Sequence, residues 1–420
     1  MKLSFPYSEY QPIDIPDDNL VGVFEAREQP AVEDVSEEAA RALANCIGSP
    51  RLCQLAAGKR NALIITDDYT RQTPVMEIIP LVARELQSAG IPESNIRILV
   101  ALGTHRPMSE EERLKRFGKS ICGRFEIINH DWKNPDALVS IGKTASGAEI
   151  RINRLLLESG LVIGMGQIAP HRIAGFSGGS KIIVPGVCGH EAVAHTHWMG
   201  SLLPGEKMLG AAENPVRAEM DDIAKRAGLV FIINAVCDPK GRTIRIVSGD
   251  PVSAHREGCA IARNVFGAAV PEKCDIVIAD SRPKDIELWQ AAKALYAADL
   301  IVKPGGVVIL VTLCPEGVSR SHPLILERGY KSEKETMQDV ETGKLRNIIV
   351  ASHCLRVGRL IRDKATGILV SKGIPRAETE HLGFLYAGTP ALALEKAFKI
   401  AGKNATVGIL RNGAEALPLI

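Results

Sequence analysis

The sequence predicts an α/β protein made of two α/β domains with largely parallel sheets. Two observations carry that reading. Short apolar runs alternate with amphipathic stretches along the chain, the rhythm of strands joined by crossover helices. At 420 residues the chain also exceeds the size at which a single core stops growing.

Residues 1–60 read as an extended start followed by a helix over 37–55. Predicted strands then fall at 62–66, 96–102, 161–166, 229–236, 275–279, 307–312, 347–351, 383–387 and 406–410. The stretch 74–89 has apolar residues at helical spacing and Gly90 just past its end. Asn214 followed by Pro215 opens another helix, with Asn as cap and Pro at the first helical position. A linker at 266–271 divides an N-terminal domain, 1–268, from a C-terminal domain, 269–420.

Composition excludes several functions. The net charge is only +2 and aromatics make up 4%, so neither a phosphate-tracking surface nor a base-stacking platform is expected. No nucleic-acid or membrane partner is therefore anticipated. No apolar run is long enough to span a bilayer. The first residues, from Met1 to Pro6, lack the apolar core of a signal peptide. Nine scattered cysteines without a C-x-x-C pair suit a reduced, cytoplasmic protein. Cys188 and Cys314 read as small buried hydrophobes rather than metal ligands.

In open α/β sheets, ligands gather beyond the carboxyl ends of the strands. The first predicted strand runs into Asp68, Tyr69, Thr70 and Arg71, and the second into Gly103, Thr104, His105 and Arg106. The third runs into Pro170 and His171, and strand 275–279 leads through Asp285 to Trp289, Gln290 and Lys293. Acid, arginine, histidine and lysine thus arrive at what one interdomain cleft could collect.

Arg71 offers a planar fork for a carboxylate or phosphate, although an exposed arginine beside a helix cap would look the same. His105 and His171 belong to no tight metal motif. Two histidines at neighbouring strand ends suit a general acid and a general base on opposite faces of a substrate. The loop Ser177, Gly178, Gly179, Ser180 and Lys181 combines close backbone approach with an amine suited to anion binding or covalent chemistry. It is not a Walker loop, because Ser180 stands where glycine is required. His195 and His197 share a face only if their segment is extended. Gln290 and Lys293 share a face on a helix.

These residues resemble the nickel-pincer lactate racemase family. The matching stretches are 68–71, 103–107, 170–186, His197, Asn214 with Pro215, 247–250, and Asp285 through Lys293. The resemblance implies a racemase or epimerase of a 2-hydroxy acid with two α/β domains and an active site between them. It implies a nickel-pincer nucleotide, the pyridinium-3-thioamide-5-thiocarboxylate mononucleotide, bonded covalently to Lys181, with His197 as the protein ligand to nickel. His105 and His171 match the acid/base pair, and Arg71, Gln290 and Lys293 match the groups that hold the substrate. Asp68 and Thr70 would orient Arg71 or the cofactor, and Ser177, Gly178 and Gly179 would lie against it. The implied partners are the small-molecule substrate and the enzymes that make the cofactor. Tyr69 and Trp289 replace a histidine and a tyrosine of the lactate enzyme near the expected substrate. A lactate-like or larger acid is therefore expected.

Two other readings use the same residues. Lys181 could form a Schiff base with a carbonyl substrate or with pyridoxal phosphate. A non-catalytic protein could capture an anionic metabolite, although capture alone gives two strand-end histidines no task.

Overall fold

The structure is a computed structural model that describes residues 1–145 and 147–420. It is α/β with largely parallel sheets, as the alternating pattern predicts. The chain divides into two compact units. One comprises Glu28–Gly200 and Gly210–Val265; the other comprises Met1–Arg27, Ser201–Leu209 and Phe266–Ile420.

The first unit is built on a six-stranded sheet. Its order is Thr243–Gly249, Leu229–Cys237, Val162–Gln167, Ala62–Asp67, Ile96–Ala101 and Glu126–Asn129. All neighbours are parallel except the edge pair 229–237 and 243–249. Ala62–Asp67 is buried at every position, as expected of a central parallel strand covered on both faces. Ile64, Ile98 and Ile163 meet Ile78, Ile79, Val82 and Leu86 of the helix Val75–Ser88 in one core. Each such side chain contributes about 1.5–3 kcal/mol on burial.

The second unit has a six-stranded, wholly parallel sheet. Its order is Leu385–Tyr386, Thr366–Ser371, Val302–Thr312, Cys274–Asp280, Val407–Leu410 and Leu20–Phe24. Ile276, Ile309, Ile368 and Ile409 share a core with Leu394 and Ala397 of the helix Pro390–Ala401, and with Tyr7 and Tyr10. The first 27 residues therefore pack with the C-terminal residues, because Leu20–Phe24 finds its hydrogen bonds on Val407–Leu410. A single cut at residue 268 does not capture that arrangement.

Two predicted elements differ. Residues 347–351 are not a strand; they open the helix Ile348–Gly358, whose Asn347 side chain accepts from the Val350 N–H. The helix is buried nearly throughout, and a fully buried helix presents the same short apolar run as a buried strand. The helix expected over 37–55 is two helices, Val35–Ala44 and Leu52–Ala56. Gly48 between them has φ +64 and packs against Ser253, which no continuous helix allows. Asn214 and Pro215 cap the helix Pro215–Arg226 as read.

Candidate functional site

In the first unit the strand order reverses between Ala62–Asp67 and Val162–Gln167, the crevice where parallel sheets hold ligands. Asp67 ends one of these strands. It is buried and accepts from Thr73 Oγ1 at 2.6 Å, from the Gln167 N–H at 3.0 Å, and from the Arg116 guanidinium. Burial pushes its carboxyl above the usual range, while Arg116 and Thr73 pull it back. Arg116 also donates to the Asp67 carbonyl at 3.1 Å and the Arg71 carbonyl at 3.0 Å, pinning both ends of the loop.

Within that loop, Asp68 accepts from the Thr70 N–H at 3.0 Å and the Thr70 hydroxyl at 2.5 Å. Its other oxygen meets His105 Nδ1 at 2.6 Å. Burial raises the Asp68 carboxyl, but the His105 hydrogen bond and charge, with Thr70 and Arg71 behind them, outweigh it. The carboxyl is held well below the usual range. An ionised Asp68 fixes the proton of neutral His105 on Nδ1 and leaves Nε2 as the basic atom. Thr70 Oγ1 also accepts from Arg71 Nη1 at 3.0 Å, so one carboxylate organises both His105 and Arg71. Arg106 stacks over the Tyr69 ring at 5.0 Å.

The second strand leads to a small antiparallel bridge, Pro170–His171 with Gly175–Phe176. Here His171 Nδ1 accepts from the N–H groups of Ile173 and Ala174, each at 3.2 Å. Its proton must then sit on Nε2. Burial first, then the charges of Lys181 and Arg71, push its pKa well below the ordinary value. The two histidines are thus held in opposite tautomers.

Arg217 is the largest fully buried side chain of its kind in the chain's core and was not foreseen. Its guanidinium donates to the carbonyls of Ala174, Phe176 and Gly178, so it gathers the loop that precedes Lys181. His255 Nε2 donates to the Ser177 carbonyl at 2.9 Å, and Asn234 Oδ1 accepts from the Gly179 N–H at 2.8 Å. Ser177 Oγ donates to the Gln167 carbonyl at 2.7 Å. Gly178 and Gly179 have φ +74 and +57, and a Cβ on Gly179 would lie 2.7 Å from the His255 ring. Glycine is required there by close packing inside the protein.

Lys181 follows in the turn Gly179–Ile182. Desolvation, then the charges of Arg71 and Arg217, lower its amine to about 7. The neighbouring Ser180 hydroxyl is buried without a hydrogen-bond partner. His195 and His197 lie on the helix His190–Leu202, which resolves the alternative left open by the sequence. His195 Nε2 meets Glu219 at 2.7 Å. His197 Nδ1 donates to the Val193 carbonyl at 2.8 Å, which leaves its lone pair on Nε2.

In the second unit, Trp289, Gln290 and Lys293 lie on the first turns of the helix Leu288–Ile301, as their spacing implied. Trp289 packs against His322 and His353. Neither histidine stood out in the sequence, since each is a lone histidine outside any motif. Cys188 and Cys314 are buried, and burial pushes the Cys314 thiol up to about 12, so both behave as small hydrophobes. Among the described residues, no three His, Cys, Asp or Glu side chains form a metal-binding cluster, and no helix is long and apolar enough to cross a membrane.

A parallel-sheet enzyme with a low-pKa lysine and two tautomerically opposed histidines at strand ends is the class that fold and site define. The chain belongs to the lactate racemase family, and so to the isomerases. The lactate racemase N-terminal domain model matches residues 7–208 and the C-terminal domain model residues 270–417. Lactate racemase of Thermoanaerobacterium thermosaccharolyticum is 33% identical over 322 residues, covering 75% of each chain. That of Lactiplantibacillus plantarum is 35% identical over 310 residues, covering 72% of each. The apoprotein structure of the Thermoanaerobacterium thermosaccharolyticum enzyme superimposes with a TM-score of 0.90 at 27% identity over the full length of both chains. A Thermotoga maritima protein is alike in fold alone, with a TM-score of 0.72 at 22% identity over 93% of this chain and 100% of its own.

Proposed function

We propose that the protein racemises or epimerises a 2-hydroxy acid, lactate or a larger relative, with a nickel-pincer nucleotide anchored on Lys181. The observation that carries this reading is the gathering of Arg71, His171 and His197 around Lys181, whose amine burial and the Arg71 and Arg217 charges bring to about 7. An amine with that pKa is substantially neutral at pH 7, the form that can join a thio-acid arm as a thioamide with loss of water. The orphaned Ser180 hydroxyl beside it suits a polar group of the nucleotide. His197, with its lone pair on Nε2, suits nickel as a single protein ligand. The other donors to such a metal would come from the bound group, consistent with the absence of a protein cluster among the described residues. The residues therefore fit the cofactor.

When bound, that group supplies a reversible hydride acceptor. The chain's own residues do the rest. Arg71 holds the substrate carboxylate through a two-pronged contact. His105 Nε2, backed by Asp68, takes the proton of the 2-hydroxyl. His171 presents an Nε2–H donor to the oxygen approached from the opposite side. Gln290 and Lys293 steady the planar keto acid, whose retention between the two half-reactions decides whether the opposite enantiomer forms.

A Schiff-base role for Lys181 is the alternative that its pKa also allows. The deciding experiment co-produces the chain with the cofactor-synthesis enzymes. Intact mass should show a nucleotide-sized adduct, metal analysis about one nickel per chain, and enantiomer analysis interconversion of a 2-hydroxy acid. Absence of adduct and nickel in protein that still interconverts enantiomers would refute the reading.

A further inference from the structure

The sheet of the second unit has its own point where strand order reverses. From Cys274–Asp280 the chain crosses to Val302–Thr312 on one side, whereas Val407–Leu410 returns to pair on the other. Ligands of parallel sheets lie in such a crevice, beyond the carboxyl ends of the strands. A cavity of about 180 Å³ lies there, and every residue that lines it belongs to this unit.

Three adjacent strands each deliver one charged side chain to its wall. Asp280 ends the first, Arg411 follows Val407–Leu410, and Glu25 follows Leu20–Phe24. Asp280 is buried and accepts from the N–H groups of Arg282 at 3.1 Å and Asn412 at 3.2 Å. Burial pushes its carboxyl up to about 6, which leaves it mostly ionised at pH 7. Among the described residues the Arg411 guanidinium meets no acceptor, although its Nε is shielded from water. A shielded N–H without an acceptor is costly, and an anionic oxygen placed against it removes that cost. The roof is the N-terminal segment from Leu3 to Pro6. Arg282 Nη1 donates to the Pro6 carbonyl at 3.0 Å, and the Tyr7 and Ser281 hydroxyls meet at 3.3 Å, so the segment is tied to the strand end.

We propose that this cavity binds a small apolar α-amino acid, its carboxylate on Arg411 and its ammonium between Asp280 and Glu25. The site stands apart from the racemase reading and uses none of the residues assigned there. One cation and two carboxylates suit a ligand that carries both signs. Phosphate or a dicarboxylate would set its second charge against Asp280 and Glu25, and a 2-hydroxy acid would leave both without a counter-charge. Size limits the side chain. A cavity of about 150 Å³ holds benzene, so ligands of about six to eight non-hydrogen atoms, alanine to valine, fit here. Leu3, Phe5 and Ile409 supply the apolar wall.

Titration calorimetry of the full-length chain tests this with L-valine and with its hydroxyl counterpart, 2-hydroxy-3-methylbutanoate. Valine should bind one-to-one. Arg411→Met removes a side chain that has no protein partner to lose. It should weaken valine about tenfold to a hundredfold, the worth of a hydrogen bond to a charged group. Glu25→Gln, at an exposed position, should weaken it about twofold to fivefold. Arg71→Met should leave valine binding intact, which separates this cavity from the first unit's loop. Absence of heat at millimolar valine, unchanged affinity in a folded Arg411→Met, or loss in Arg71→Met overturns the site. Any affinity of the hydroxy acid should be unmoved by Arg411→Met, and a fall equal to valine's overturns the amino-acid assignment. If circular dichroism shows Arg411→Met unfolded, Glu25→Gln decides: weaker valine binding supports the site, and unchanged binding overturns it.

Discussion

The strand-end loops of the first unit and the surroundings of Trp289 in the second organise their buried polar groups in opposite ways. In the first, each buried charge is met by an ion or by hydrogen bonds: Asp67 by Arg116, Asp68 by His105 Nδ1, and Arg217 by three carbonyls. Around Trp289 in the second, the partners are neutral: His353 lies between two phenols and His322 stacks on an indole. Buried charge is costly unless paired, so it persists where protons or anions must be handled. Neutral donors and acceptors cost less to bury. On the proposed function the reaction belongs to the first unit's loops, and mutation can break that reading.

Lys181→Ala should have the largest effect. Co-produced with the cofactor pathway, it should show no adduct by intact mass and no racemisation, while circular dichroism stays that of the parent. Full activity in this variant would move the chemistry elsewhere. His105→Ala and His171→Ala come next, each expected to lower turnover by about 10²–10⁴-fold. Because the two rings are held in opposite tautomers, the losses should differ between the D and L substrates. Progress curves started from each enantiomer measure this, and near-normal rates in both variants would make the histidines structural.

The opposed tautomers were not legible in the sequence, although both histidines were. His105 and His171 stand out because each follows an apolar run directly, and a parallel strand delivers its next residue to the ligand end of the sheet. What holds them is drawn from distant segments: Arg116 from 49 residues beyond Asp67, and Arg217 and His255 from helices far past the lysine loop. No local pattern distinguishes such an arginine from a solvated one. The same limit explains residues 347–351, where the apolar run Ile348, Ile349 and Val350 carries no periodicity, and only burial shows it to be a helix. It also explains why the partner of Leu20–Phe24, almost 400 residues away, could not be read.

Arg217→Met sharpens the charged half of the comparison. The substitution preserves much of the stem's volume but removes the guanidinium donors to the Ala174 and Phe176 carbonyls, while the Gly178 carbonyl keeps the Lys181 N–H, at a cost of about 2–5 kcal/mol. Denaturant melts should show the loss, and the fraction of chains carrying the adduct should fall because the loop before Lys181 is no longer gathered. Unchanged stability and loading would mean that water or the backbone satisfies those carbonyls without it. A smaller, more local effect separates the histidines of the helix His190–Leu202. His197→Ala should lose nickel, whereas His195→Ala, whose ring is turned to Glu219, should keep most of it.

The smallest effect is a pH dependence in the apoprotein, and its sign follows from Lys181. Its amine is lowered to about 7 in the fold, against an ordinary value of 10.5. Between those values the unfolded chain binds more protons than the folded one, so stability rises with pH across that window. Below pH 7 the amine is charged in both states, and the fold bears the whole cost of desolvating it. Well above pH 10.5 it is neutral in both, and the cost is gone. Lys181→Met should therefore stabilise the apoprotein at pH 6.5 and do so progressively less at pH 8 and pH 9.5. Denaturant midpoints of the two proteins at those three pH values give the difference directly. A gain that is the same at every pH would show that the lysine stem is packed poorly and that its charge is fully hydrated. The low-pKa amine on which the proposed cofactor attachment depends would then need another source.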